Sequence, residues 1–139
     1  MLYSRDRYEG LQSLLKACGG EGCLFLTVLS IAEDATETPI DLIDAIHLCL
    51  KKKWIAPDFE CLNSLAILNH FTPGKVWCRQ EVPRLLVPVR DNEYTVVNYY
   101  NPGTEITHRR RRSYDTLKSS VTVRDGYIKS YYIYSWKAV

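Results

Sequence analysis

Apolar positions change their spacing once along this chain, near residue 75. Before it they recur at three- and four-residue intervals, the period of a helix with one buried face. Tyr8, Leu11, Leu14 and Leu15 predict a first helix from Asp6 to about Ala17, ended by the glycines after Cys18. The densest stretch is Cys23-Leu24-Phe25-Leu26-Thr27-Val28-Leu29-Ser30-Ile31-Ala32. Leu24, Phe25, Val28, Leu29 and Ala32 share one stripe, and Leu26 and Ile31 widen it, which predicts a central buried helix fading at Glu33-Asp34. A third helix is expected through Ile40, Ile43, Ile46 and Leu50, with Thr38 as N-cap, Pro39 at its first position and Asp41 three residues after the cap. Lys51-Lys52-Lys53 then fall where cations suit the C-terminal dipole and read as solvated surface. After an extended link, Trp54 to Pro57, a fourth helix carries Leu62, Leu65, Ala66 and Leu68, capped by Asp58 or Asn63. Thr72-Pro73-Gly74 stops it.

From Lys75 the pattern is one of strands. Val76–Val82 is one candidate, and Tyr94–Tyr100 is another, rich in β-branched and aromatic residues. Pro83 and Pro88 confine the piece between them to an edge or a loop. Short strands are expected over Thr104–His108 and Val121–Val123, with Asp125-Gly126 as a hairpin turn. Tyr127 to Trp136 closes the pattern, with Ile128, Ser130, Tyr132, Tyr134 and Trp136 on one face. Helices followed by strands predict an α+β fold in a single domain, helical over 1–74 and a sheet over 75–139.

The totals sharpen this picture in three ways. A length of 139 residues, 46% of them hydrophobic, suffices for one buried core. The net charge of +2 gives no overall electrostatic case for nucleic acid, despite the run Arg109-Arg110-Arg111-Arg112. The five cysteines, Cys18, Cys23, Cys49, Cys61 and Cys78, are odd in number and unpaired in rhythm. That argues for a reducing compartment, hence a cytoplasmic protein, rather than a secreted disulfide scaffold. The apolar run after Cys23 is too short for a bilayer, and the N-terminus has no apolar signal core, so no membrane association is expected.

Candidate chemistry centres on Cys23. It follows Gly19-Gly20-Glu21-Gly22 and opens the central helix, where free backbone N–H groups and the helix dipole favour a thiolate. The bland alternative is a small apolar residue filling a core gap. His47 and His70 have no acidic or cysteine neighbour at a ligand spacing and read as structural or surface residues. The one histidine in the sheet half is His108, and Asp115 lies seven positions beyond it. A hairpin with Arg111-Arg112 at its tip would set His108 opposite Asp115, with Cβ atoms about 5 Å apart, close enough for the carboxylate to orient the imidazole. A four-residue arginine loop would instead pair residue 108 with 113.

Glycine-then-cysteine at the head of an apolar helix, a later strand histidine and an aspartate beyond it resemble the peptidase domain that processes bacteriocin leaders, a branch of the papain-like fold. Gly22–Leu26 with Ile31-Ala32-Glu33, and His108 through Asp115 to Ile133, also resemble a family of small uncharacterised proteins from bacteria and their phages. The resemblance implies a cysteine peptidase or amidase with Cys23, His108 and Asp115 as catalytic residues, a peptide or amide substrate, and no cofactor or metal. Two features depart from the papain-like pattern. Gln12 lies eleven positions before Cys23, too far upstream for the usual oxyanion glutamine, and four arginines follow the histidine where an apolar strand is expected. The loss of a side-chain oxyanion donor costs about 10²–10³ in rate.

Three other readings fit the same residues. One is a catalytically inactive interaction module that keeps the papain-like shell. The second is a winged-helix nucleic-acid binder with the arginine run on its wing. The third is a metal site built from Cys18, Cys23 and His108, using the C-x₄-C spacing of the two cysteines.

Overall fold

The computed structural model describes residues 22–85, 89–103, 106–111 and 126–139, with the side chains of 106–108 and 110 outside that description. Three helices precede the sheet: α1 (Cys23–Thr36), α2 (Leu42–Lys51) and α3 (Ser64–Phe71). Four strands follow: β1 (Lys75–Val82), β2 (Glu93–Asn101), β3 (Ile106–Arg110) and β4 (Tyr127–Ala138). The expected α+β segregation holds across the described residues. The expected first helix, the strand over 121–123 and Asp125 of the turn lie outside them. No helix among the described residues is long and apolar enough to cross a membrane.

The apolar run forms the central helix, as its composition predicts. Every residue of α1 from Cys23 to Glu33 is buried. Its polar members are satisfied locally: Thr27 Oγ1 donates to the Cys23 carbonyl at 2.6 Å, and Ser30 Oγ to the Thr27 carbonyl at 2.6 Å. Glu33 Oε2 accepts from the backbone N–H of Ile40 at 2.7 Å, which ties the link after α1 back to the helix. The helix ends where Glu37 takes a left-handed conformation, φ 53°, a position glycine commonly fills.

The start of α2 differs from the expectation. Its N-cap is Asp41, whose side chain accepts from the Asp44 N–H at 2.9 Å, so Thr38 and Pro39 lie before the helix. The buried face is Leu42, Ala45, Ile46 and Cys49, whereas Ile43 and Leu50 are exposed. Lys51, Lys52 and Lys53 are exposed, as read from the sequence. Asn63, one of the two expected caps, caps α3 by accepting from the Ala66 N–H at 3.1 Å. There the buried residues are Ser64, Ile67 and Leu68, and Leu62 before the helix is exposed. Beyond α3 the chain reverses through Gly74 at φ 85°, the conformation glycine adopts without strain. Trp77 pins this turn, donating from its indole to Thr72 Oγ1 at 2.7 Å and from its backbone to Asn69 Oδ1 at 3.0 Å.

The strands form one antiparallel sheet in the order β1-β4-β2-β3. Trp77 pairs with Trp136, Tyr94 with Tyr134, and Asn98 with both Ser130 and Arg109. Trp77, Val96 and Tyr134 are the buried sheet residues of the core, joined by Tyr94, Tyr132 and Trp136 at its margin. Tyr134 is wholly buried, and its hydroxyl donates to Ser64 Oγ at 2.9 Å, joining β4 to α3. Of the face expected on β4, Ser130 and Tyr134 are buried and Tyr132 and Trp136 partly buried. The face fails at Ile128, which is exposed, because the register slips between Asn98 and Tyr99 and a bulge separates Ile128 from the rest.

Candidate functional site

Cys23 is the first residue of α1 and is only 3% exposed. Gly22 precedes it as N-cap at φ −103°, with no side-chain capping bond. The first turn closes through the Leu26 N–H, which donates to the Gly22 carbonyl at 3.0 Å. The Cys23 side chain is almost wholly withdrawn from solvent.

Of the other two expected site residues, His108 contributes its backbone to β3, opposite Tyr99 of β2. Its side chain lies outside the described residues, as does the whole of Asp115. The strand and the helix are nevertheless joined. β3 packs against α1, and Arg111, just beyond the strand, reaches that helix. Its Nη1 lies 2.6 Å from Asp34 Oδ2 and donates to Ser30 Oγ at 3.1 Å, and its guanidinium sits 5.4 Å from the centre of the Tyr94 ring. Burial pushes the Tyr94 phenol above its ordinary pKa, opposed by Arg111 and reinforced by Asp34.

The run of arginines suggests a loop or hairpin tip, exposed with at most one side chain turned inward, and these contacts turn Arg111 inward. Arg109 and Arg110 are strand residues of β3, and Arg111 is buried. Arg109 is half-buried with its guanidinium 5.8 Å from the centre of the Tyr132 ring. The reason is long-range: Asp34 supplies a counter-charge on α1, which the local run of four arginines does not announce. An arginine buried against the protein's own carboxylate is not free to meet phosphate, which removes Arg111 from any nucleic-acid wing. Arg112 lies outside the described residues.

A polar row crosses the sheet that the sequence reading did not single out. Asn98 Nδ2 donates to Ser130 Oγ at 3.0 Å, and Ser130 Oγ donates to Glu81 Oε2 at 2.6 Å. Asn98 and Ser130 are buried. The signal that could have found them is a polar residue at the strand parity of buried apolar neighbours, Asn98 with Val96 and Ser130 with Tyr134. His47 and His70 are exposed, and His70 packs its ring on Phe71 and Trp54. Cys49 and Cys61 are held as thiols: burial pushes Cys49 up to about 11, and burial first, then Cys49, pushes Cys61 up to about 12 against Asn63, Arg109 and Arg79.

No group of three or more histidine, cysteine or acidic side chains among the described residues could hold a metal ion. Of the metal reading, Cys18 and the His108 side chain lie outside the described residues. A cavity of about 430 Å³ lies between the α1–α2 link and α3, lined by Thr38, Pro39, Asp41, Leu48, His70 and Phe71 among others. It also touches Thr36, at the far end of α1 and about 20 Å along the helix from Cys23, so it is separate from the cysteine. No protein-family model, curated protein or solved structure matches this chain.

Proposed function

We propose that this protein is a papain-like cysteine hydrolase, a peptidase or amidase, with Cys23 as nucleophile, His108 as its base and Asp115 as the group that orients His108. The observation that carries the reading is the start of a buried helix at Cys23, packed on the strand that carries His108. Arg111, three residues beyond His108, meets the same helix at Ser30 and Asp34. In this reading the thiolate attacks an amide carbonyl carbon, and the backbone N–H of Cys23 helps hold the oxyanion. The His108 imidazolium returns the proton to the leaving amine, leaving a thioester that water then hydrolyses.

Alkylation tests this. Cys23 should react with iodoacetamide well below the ordinary thiol pKa of about 8.5, ahead of exposed Cys78, and His108→Ala should remove that low-pH reactivity. Equal labelling of Cys23 in the variant and the parent protein would end the proposal.

A second reading is an inactive interaction module of the same shell. It is favoured by the burial of Cys23 and by the Arg111–Asp34 pair, which joins the sheet and the helix. It expects no alkylation of Cys23 below pH 8 unless the fold is opened by denaturant, about half a unit under the ordinary thiol value.

A further inference from the structure

Two arginines from opposite edges of the described sheet converge on one tyrosine. Arg79 stands on β1 and Arg109 on β3, the two outer strands of the order β1-β4-β2-β3. Their guanidinium carbons lie 4.6 Å and 5.8 Å from the centre of the Tyr132 ring on β4. The two cations are therefore within about 10 Å of one another, the sum of those distances. All three side chains belong to the helix-side face of the sheet. Arg79 shares the parity of buried Trp77, Tyr132 that of Tyr134, which bonds α3, and Arg109 that of Arg111, which bonds α1.

The charge of this cluster is incompletely balanced. Among the described residues neither Arg79 nor Arg109 forms an ion pair, although Arg111, two residues on, does. Burial works against the charge on Arg79, but a hydrogen bond with Tyr134, then the influence of Tyr134, Tyr132 and the nearby carboxylate Glu81, outweighs it and holds the guanidinium charged. One oxygen of Glu81, however, is engaged by Ser130. Among the described residues the buried Nε of Arg109 has no hydrogen-bond partner. Beside it across the strand pair, Asn98 Oδ1 is likewise unbonded among the described residues, while its amide nitrogen goes to Ser130. A buried guanidinium donor with nothing to donate to is destabilising, and more so for a charged group, unless something fills the place. Arg79 is exposed, so the cluster opens to solvent on the β1 side.

We propose that Arg79 and Arg109 form an oxyanion-binding site over the Tyr132 ring, for a ligand bearing a carboxylate or phosphate group. Planar guanidinium forks held by an aromatic face are pre-set for bidentate contact with such a group, and the Arg109 Nε–H is the donor that the anion satisfies. The site does not require Cys23 to be a nucleophile.

The experiment titrates the full chain with inorganic phosphate and, separately, with succinate at constant ionic strength. It follows heat of binding and the arginine Nε–H resonances. Saturable binding of either probe is expected, with a downfield shift of the Arg109 Nε–H signal, and the probe that binds more tightly identifies the source of the oxyanion. Arg79→Gln and Arg109→Gln should each weaken binding by about tenfold or more, and Arg109→Lys by a comparable factor, because charge without the fork is insufficient. Lys52→Gln, on the exposed end of α2, and Cys23→Ala should leave it unchanged. If Arg109→Gln does not fold, Arg79→Gln and Arg109→Lys decide the matter. Failure of both probes to saturate, an unmoved Arg109 signal, or equal affinity in the arginine variants and the parent overturns the proposal.

Discussion

At the scale of single residues, the Arg111–Asp34 pair is the contact whose loss should be felt most. The Arg111 side chain is 10% exposed and that of Asp34 21%, so both are largely withdrawn from water. Removing one partner strands the other's charge, which costs about 3–5 kcal/mol in fully buried pairs. The residual exposure of Asp34 places the expected loss for Arg111→Leu nearer 2–3 kcal/mol, measured by urea unfolding. Arg111→Leu with Asp34→Leu should recover much of that loss, since no charge is then left unpaired. Equal losses in the single and double variants would mean that the pair contributes by packing alone. Alkaline pH probes the buried acids. Burial pushes the folded Cys49 thiol up to about 11 and Cys61 up to about 12, above the ordinary thiol value, and raises the Tyr94 and Tyr134 phenols above theirs. Folded pKa values above unfolded ones mean that the native state holds more protons, so stability falls as pH rises. The loss should begin near pH 9 and continue to about pH 11 for Cys49. Cys49→Ala should lower stability at neutral pH through its cavity but flatten the slope above pH 9, and an unchanged slope would count against the burial argument.

Elements were readable wherever one periodicity ran unbroken. The apolar stretch after Cys23 could bury itself only as a helix of its length, and its hydroxyls found carbonyls on the preceding turn. The long β4 strand was legible for the same reason, in a period of two. Helix α2 was misplaced because its cap was chosen from a strong local motif, Thr38-Pro39, while the fold used Asp41. The Ile40 N–H bonds the Glu33 carboxylate, so the chain stays tied to α1 for three residues longer than the motif suggests. Two variants separate these caps. Asp41→Ala should cost about 1 kcal/mol by removing the acceptor for the Asp44 N–H. Thr38→Ala should stay within about 0.5 kcal/mol of the parent, since its hydroxyl makes one exposed bond to the Thr36 carbonyl. Chemical denaturation of both reads the difference, and a larger loss at Thr38 would restore the earlier start of the helix. The candidate site was legible in part, at Cys23, because a glycine and an apolar run mark a helix start without help from the rest of the chain. The polar row and the two arginines over Tyr132 depend on strand order and register, which pair residues far apart in sequence and leave no local trace.

At the scale of the whole molecule, the strand order decides how the fold is assembled. β4, the last described strand, lies between β1 and β2, and it carries Tyr134, the wholly buried ring that bonds α3. Without it β1 has no strand neighbour among the described residues, and β2 keeps only β3. The sheet is thus closed by pairings such as Trp77 with Trp136 and Tyr94 with Tyr134, each spanning a long stretch of chain. Such non-local contacts are formed late, after the cost of closing long loops, and they slow folding. A chain cut after residue 126 should therefore lack a cooperative unfolding transition and near-ultraviolet signal, even though all three described helices are present in it. Supplying residues 127–139 as a separate peptide should restore both in proportion to its concentration, since the missing strand then binds as a ligand of the native state. In the peptide, Tyr134→Ala should abolish this rescue, and Lys137→Ala should not, because Lys137 is exposed on the same strand. A truncated chain that still melts cooperatively would show that the helices and the two-strand unit suffice, and that β4 is an addition to the core rather than its centre.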